Sequence, residues 1–310
     1  MVATEAAKPR AVVGPVVAGR KTGAGLWSNA AYRLRRDRVT VVAAVGLALF
    51  VVLAASADLL AQSFFRYGFT QQDLLNTYAK PDLQTPAFWL GGDEIGRSQI
   101  VRLLFGARIS LAVGFGAAFI NLTIGIALGL AAGYFRGWFD DLVQFVISTL
   151  NSIPTIFLLL IVAVLFSPGT WTLVGILGLL SWQSITLFVR GQTLSLRERD
   201  FVSAGRVIGA SHRRLMFQHI LPNVLPLVFI LSAIDVGGLI LVESALSFLG
   251  LGVHPPTPSW GNMLTNAAQH LSRGPWLVYG PGLAIFSTVL CLYLIGDGLR
   301  DALDPRLKQD

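Results

Sequence analysis

Few side chains in this 310-residue chain are suited to chemistry, and their spacing limits what they could do. Gly14-x4-Gly19-Arg20-Lys21-Thr22 has the composition of a phosphate loop, in which backbone amides and a lysine cradle a nucleotide. It carries one residue too many before the lysine, and no strand leads into it, so a basic tail is the expected reading. His212 and His219 are off the i, i+4 spacing of a zinc-binding helix, and His254 and His270 stand alone. Cys291 is the sole cysteine, which removes disulfide and CxxC chemistry. With no serine–histidine–aspartate arrangement indicated, no catalytic residue, cofactor site or metal site is expected. Any ATP hydrolysis would belong to a separate chain.

Asp235 and Glu243 are a different matter, because they interrupt an otherwise uncharged stretch at 223–249. Eight residues set them about 80° apart around a helix of 3.6 residues per turn. A carboxylate inside a membrane span is costly and marks a functional candidate by default. These two could line a polar path, pair with a neighbouring helix, or lie near the outer boundary. Glu243 is read as a boundary residue, since helix breakers follow it, and Asp235 as the pathway candidate. Asn121, Asn151 and Gln183 lie in other apolar stretches, as further path candidates or as hydrogen bonds between helices. Pro154 predicts a kink of use in gating.

The elements that must position these residues are membrane helices. Only 13% of the residues are charged and 54% are hydrophobic, where a soluble domain carries about 25% charged. Charge-free runs at 39–57, 109–135 and 275–296 are each long enough to cross about 30 Å of hydrocarbon. The run at 142–189 is twice that length and is divided by the Ser167-Pro168-Gly169-Thr170 turn, and 223–249 adds a sixth span. An all-α, polytopic protein with six transmembrane helices follows. Six helices put both termini on one side. Of the 24 basic residues, only Arg66, Lys80, Arg97, Arg102, Arg108 and Arg273 fall on the other, so the termini are expected in the cytoplasm. The positive charge is explained by this asymmetry and calls for no nucleic acid.

The expected order is a disordered cytoplasmic tail at 1–38, a first span at 39–61, and an external segment at 62–108. A five-helix core follows at 109–300, then a short cytoplasmic tail at 301–310. In the external segment, Ile100, Leu103, Leu104, Ala107 and Leu111 keep one helical face, with Arg102 and Arg108 off it. This spacing predicts an amphipathic helix on the outer surface that runs into the second span. Residues 243–264 predict an ordered external elbow, with Trp260 at the headgroup layer.

One polar passage remains, a hairpin at 196–222 on the cytoplasmic side. Phe201, Ala204, Gly205 and Ile208 share a face, Gly209 interrupts, Ser211 can cap a second helix, and Pro222 is expected to end it. Ala204 and Gly205 would let another backbone approach closely, and Arg206, Arg213 and Arg214 offer charge to a partner or to phospholipid. An amphipathic surface helix is the plain alternative.

Ser203-Ala204-Gly205, then Gly209, then Leu221-Pro222 resembles the cytoplasmic loop of binding-protein-dependent ABC importer permeases, with Ser203 in place of the usual glutamate. Leu90-Gly91-Gly92-Asp93-Glu94-Ile95-Gly96-Arg97 is similar to the Leu-Gly-Thr-Asp-x-x-Gly-Arg of the peptide branch, in which an aspartate usually stands at the position of Ser98. Ser247-Phe248-Leu249-Gly250-Leu251-Gly252 with Pro255-Pro256-x-Pro258-x-Trp260-Gly261, and Gly296-Asp297-Gly298-Leu299-Arg300-Asp301-Ala302-Leu303-Asp304-Pro305, resemble signatures of the C-type subunit of dipeptide/oligopeptide permeases.

The resemblance implies the type I ABC importer permease fold in a bacterial inner membrane. It also implies a homologous B-type permease, two ATPase subunits carrying ATP and Mg, and an external solute-binding protein as partners. Ser203, Ala204, Gly205, Gly209, Leu221 and Pro222 would then couple the bundle to the ATPases. Di- or oligopeptides are the expected cargo; nickel, glutathione and oligosaccharides are carried by the same branch. A self-contained ion-coupled transporter or channel using Asp235 is the alternative of another class.

Overall fold

The computed structural model describes residues 26–166 and 169–303, and no strand occurs among them. Helix α1 (Leu26–Arg36) precedes α2 (Arg38–Ala55), and a long segment leads to α3 (Gln99–Phe135). Next come α4 (Trp138–Asn151), α5 (Thr155–Phe166), α6 (Thr170–Leu180) and α7 (Gln183–Arg197). Helix α8 (Asp200–Val207), α9 (His212–Phe248), α10 (Trp260–Gln269) and α11 (Trp276–Leu303) complete the chain. Among the described residues, five helical stretches are long and apolar enough to cross a membrane, and six if α4 and α5 count as one bent span.

Several expectations change. Residues 26–36 of the tail are helical, and α1 packs on α11. The phosphate-loop-like stretch at 14–22 and residues 304–310 lie outside the described residues, as do Ser167 and Pro168 of the turn. The long run at 142–189 supplies the two expected spans, each of them broken into two helical pieces. Pro154 sits at a break where α4 and α5 bend by 82°, and α6 and α7 meet at Ser181-Trp182. A proline ring lacks the N–H needed at that point in a helix and clashes with the preceding turn.

The second arm of the hairpin does not stop at Pro222. It runs as a single rod into α9 through a π-turn, Leu215–Ile220. Pro222 removes one backbone donor, and the widened turn accommodates the loss. The Asn223 side-chain amide also donates to the His219 carbonyl (2.6 Å) within the same turn.

The core is built on α3. Leu111, Val113 and Ala117 meet Leu173 and Leu177 of α6, Leu239 and Ile240 of α9, and Ile285 and Leu292 of α11. Small residues decide how closely the rods approach. On α3, Gly125, Gly129 and Gly133 recur every fourth position and lie against Ile185, Thr186, Val189 and Thr193 of α7. A Cβ at Gly129 would stand 2.7 Å from the Thr186 carbonyl oxygen. In hydrocarbon, where no hydrophobic drive joins helices, such close backbone contact supplies the attraction. Gly46 of α2 similarly faces Cys291 of α11.

The segment between α2 and α3 is irregular, as expected, and is closed on Asp93. Arg97 donates to it from both backbone (2.8 Å) and side chain (2.6 Å), and Ile95 N–H donates as well (3.1 Å). Gly96, at φ +73°, packs on the backbone of Asp73. The Tyr67 hydroxyl donates to the Gly96 carbonyl (2.9 Å), and burial, with Asp73 and Asp93 nearby, pushes that phenol above its ordinary value. Ser98 accepts from Val101 N–H and caps α3, a task that serine and aspartate perform alike.

The outer end of α3 differs from a simple interfacial helix. Arg102 is 5% exposed and lies 3.8 Å from Asp93, so it points into the protein. Arg108 donates to the carbonyls of Ala54 and Ala55 and pairs with Asp58 (2.8 Å), capping the end of α2. Trp260 is fully buried rather than at a headgroup surface. Its indole donates to the Leu103 carbonyl (3.1 Å), and its ring meets Phe50 edge to face.

Candidate functional site

The two carboxylates of α9 have separate surroundings. Glu243 is fully buried. Its Oε2 accepts from Ser110 Oγ of α3 (2.9 Å) and its Oε1 from Ser247 Oγ (2.7 Å), while Ser244 donates more weakly (3.5 Å). Each of the first two hydroxyls also accepts: Ser110 from Trp260 N–H (3.2 Å) and Ser247 from Val253 N–H (3.1 Å). Glu243 therefore fastens α3, α9 and the elbow before α10, pairing with a neighbouring helix about one and a half turns before α9 ends at Phe248. Asn262 secures the rest of the elbow through the Ser259 cap and the carbonyls of Val253 and Thr257.

Asp235 is half-buried. Asn121 Nδ2 on α3 donates to its Oδ2 at 2.6 Å, so two of the polar residues expected along a path meet across helices 114 residues apart in sequence. Asn151 and Gln183 do not join that pair. Asn151 is exposed at the end of α4, beside the bend, and Gln183 opens α7 half-buried.

The hairpin has the expected pivot. Gly209 has φ +83°, with open space where a Cβ would point, and Ser211 accepts from Arg214 N–H (3.4 Å). Positive φ is the region glycine adopts without strain. Gly205 does not leave a groove for another chain. It is buried, and an added Cβ would stand 2.8 Å from Leu215 Cδ2 of the opposite arm. Val202 and Leu215, neither exposed at all, seat the hairpin on Leu130, Tyr134 and Val189. Ser203 and Ala204 are exposed, Pro222 is exposed and Leu221 is half-buried. The apolar surface that is free lies at the tip, where Val207 is 87% and Ile208 84% exposed.

A polar mount joins the hairpin to the bundle, and sequence reasoning missed it. The Tyr134 hydroxyl at the end of α3 is 2.8 Å from His212 Nδ1 at the start of α9. Arg197 stacks over the Tyr134 ring, Arg136 pairs with Glu198 (2.5 Å), and Arg190 holds the buried Asp140 with two bonds (2.5 and 2.7 Å). Each arm of the hairpin is thus tied to the α3–α4 corner. No periodicity links Tyr134 to His212; only the hydrophobic-to-polar change at 134–136 hints that something polar waits there.

A bundle of apolar helices with one polar, pre-seated hairpin suits a membrane protein driven from outside itself. The family model for the binding-protein-dependent transport system inner membrane component matches residues 125–309, more than half of the chain. The chain belongs to that family. A second model, the N-terminal TM domain of oligopeptide transport permease C, matches residues 25–81 of the permease. The permease is similar to the oligopeptide transport system permease protein OppC of Haemophilus influenzae, with 38% identity over 92% of this chain and 90% of that one. OppC of Escherichia coli K12 is 37% identical, with 92% of each chain covered. The glutathione transport system permease protein GsiD of Escherichia coli O6:K15:H31 is 39% identical, with 91% of each covered. Membership of this family decides for a multi-pass inner-membrane importer permease over a self-contained ion-coupled transporter.

Proposed function

We propose that this permease forms half of the path of an ATP-driven importer for di- or oligopeptides, paired with a second, homologous permease. Two ATPase subunits holding ATP and Mg would dock on the hairpin, and an external solute-binding protein would deliver cargo. The observation that carries the proposal is the 37–39% identity to permeases named for oligopeptide and glutathione transport, over more than nine-tenths of the chain. The cargos for which these relatives are named are both peptides, which favours peptides over nickel or oligosaccharides. No catalysis is assigned to this chain.

The hairpin geometry supports the coupling role in a modified form. Val207 and Ile208, exposed at the turn made by Gly209, are the contact expected to enter an ATPase groove. Exposed Ser203 and Ala204 lie beside that contact, and Gly205 supports it from beneath. Leu221 and Pro222 belong to the rod that carries movement into α9. Tyr134, His212 and Arg197 act as positioning residues, transmitting a shift of the hairpin to α3 and α7. The excess of basic residues on the side of the hairpin and termini favours a cytoplasmic location for both. Asp235 and Asn121 are proposed to face the path; Asn151 and Gln183 remain proposals without a contact to that pair.

Co-expression with a candidate second permease and candidate ATPase subunits tests this function. The four components should purify together, and peptide-loaded binding protein should stimulate ATP hydrolysis in proteoliposomes. A stable complex stimulated only by a non-peptide cargo would overturn the peptide assignment. Failure of the ATPases to bind would overturn the coupling role.

A further inference from the structure

Asp235 and Asn121 carry more acceptors than donors between them. One carboxylate oxygen of Asp235 is held by Asn121 Nδ2, and Asp235 is otherwise open in part. Asn121 is fully buried, and its Oδ1 has no hydrogen-bond partner. Residues 109–135 of α3 and 223–249 of α9 contain no lysine, arginine or histidine. One turn along α9, Gly238 is exposed, and a Cβ added there would meet nothing within 4 Å. Asp235 therefore lies at the edge of an open strip of α9 on its Gly238 side, with Leu239 buried on the other. Glu243 makes the contrast, because hydroxyl donors close both of its oxygens.

A half-exposed carboxylate with no cation in its own or the facing span asks for a cationic donor. Among the described residues, no group of three histidine, cysteine, aspartate or glutamate side chains could hold a metal ion. A protonated amine needs no such cage: it brings up to three N–H donors and forms charge-assisted bonds with a carboxylate. A single carboxylate also holds its ligand loosely, and conduction requires a site that releases what it binds. We propose that Asp235, oriented by Asn121, is where the transported molecule's protonated amine is met inside the membrane. This rests on the reading of Asp235 as a path residue of a peptide importer. It adds a charge class, because a free peptide carries an ammonium group at its amino terminus whatever its side chains.

The test uses the assembled transporter in proteoliposomes, with Cys291→Ala to remove the native thiol and Gly238→Cys to introduce one beside Asp235. Two thiosulfonates of similar size are compared, one ending in trimethylammonium and the other in sulfonate. Relative to their rates with a free thiol, the cationic reagent should be favoured about tenfold by a carboxylate one turn away. Asp235→Asn should abolish that preference, and Asp235→Glu should retain it. Ethylammonium and triglycine should slow the cationic reagent, and N-acetyl-triglycine at equal concentration should not.

The amine comparison uses native Asp235, so it holds even if the asparagine variant assembles poorly. Slowing by ethylammonium but by neither peptide would leave the amine site standing and remove the peptide assignment. Three results would overturn the proposal: a preference unmoved by Asp235→Asn, no reaction at Gly238→Cys with or without ATP, or equal slowing by triglycine and its acetylated form.

Discussion

Asp235 and Glu243 lie on one helix, and their surroundings give them opposite sensitivities to mutation. Glu243→Ala would leave the Ser110 and Ser247 hydroxyls without their acceptor in a closed site. An unsatisfied buried polar group costs about 1–3 kcal/mol. The variant should therefore melt at lower temperature in detergent and be recovered in lower yield, both readable by a fluorescence thermal shift and size exclusion. Asp235→Asn can keep a hydrogen bond to Asn121, and its melting temperature should stay at the wild-type value while transport changes. The hairpin glycines divide in the same way. Gly209→Val forces a β-branched residue into the left-handed region, a strain of about 1–2 kcal/mol at a site with room for the side chain. It should insert normally and lose peptide-stimulated ATPase activity. Gly205→Trp strikes Leu215 of the same chain and should lower the yield of the permease itself.

The α3–α7 seam depends on the absence of side chains. Gly129→Leu would drive a side chain into the Thr186 carbonyl and Val189, and should abolish recovery of folded permease after detergent extraction. Gly191→Leu, on α7 where nothing lies within 4 Å, should be recovered at wild-type levels. Tyr134→Phe removes the hydroxyl that reaches His212 but keeps the ring beneath Arg197. Peptide taken up per ATP hydrolysed should fall, with ATPase binding preserved, as measured in proteoliposomes. Local signals made much of this scale legible. Uncharged length marked the spans, Gly209 marked the pivot, and Pro154 marked the bend. Contacts between distant segments were not legible. Trp260 has the composition of a headgroup anchor, and only the arrival of Leu103 and Ser110 buries it. Pro222 reads as a helix stop, yet the rod continues past it from the π-turn at Leu215–Ile220, a widening that no pattern announces beforehand. Asp235 was legible as unusual, but its bond to Asn121 was not.

At the scale of the whole molecule, charge and exposure make the orientation directly measurable. In a Cys291→Ala background, Leu75→Cys, at a position 96% exposed, should react with an impermeant thiol reagent added to intact cells. Arg213→Cys, at an exposed position away from the tip contact, should react only after the cells are opened. The reverse pattern would invert the bundle and with it the ATPase assignment. The Glu243 knot bears on how the chain is made. Ser110 and Trp260 lie 133 residues before and 17 residues after Glu243 in the chain. A ribosome that has delivered α9 but not yet the elbow has supplied both hydroxyls that hold Glu243, but not the Val253 and Trp260 amides that in turn hold those hydroxyls. Synthesis therefore passes through an interval of vulnerability that ends only when Trp260 arrives, and nascent chains arrested within it should be the ones that membrane quality control destroys.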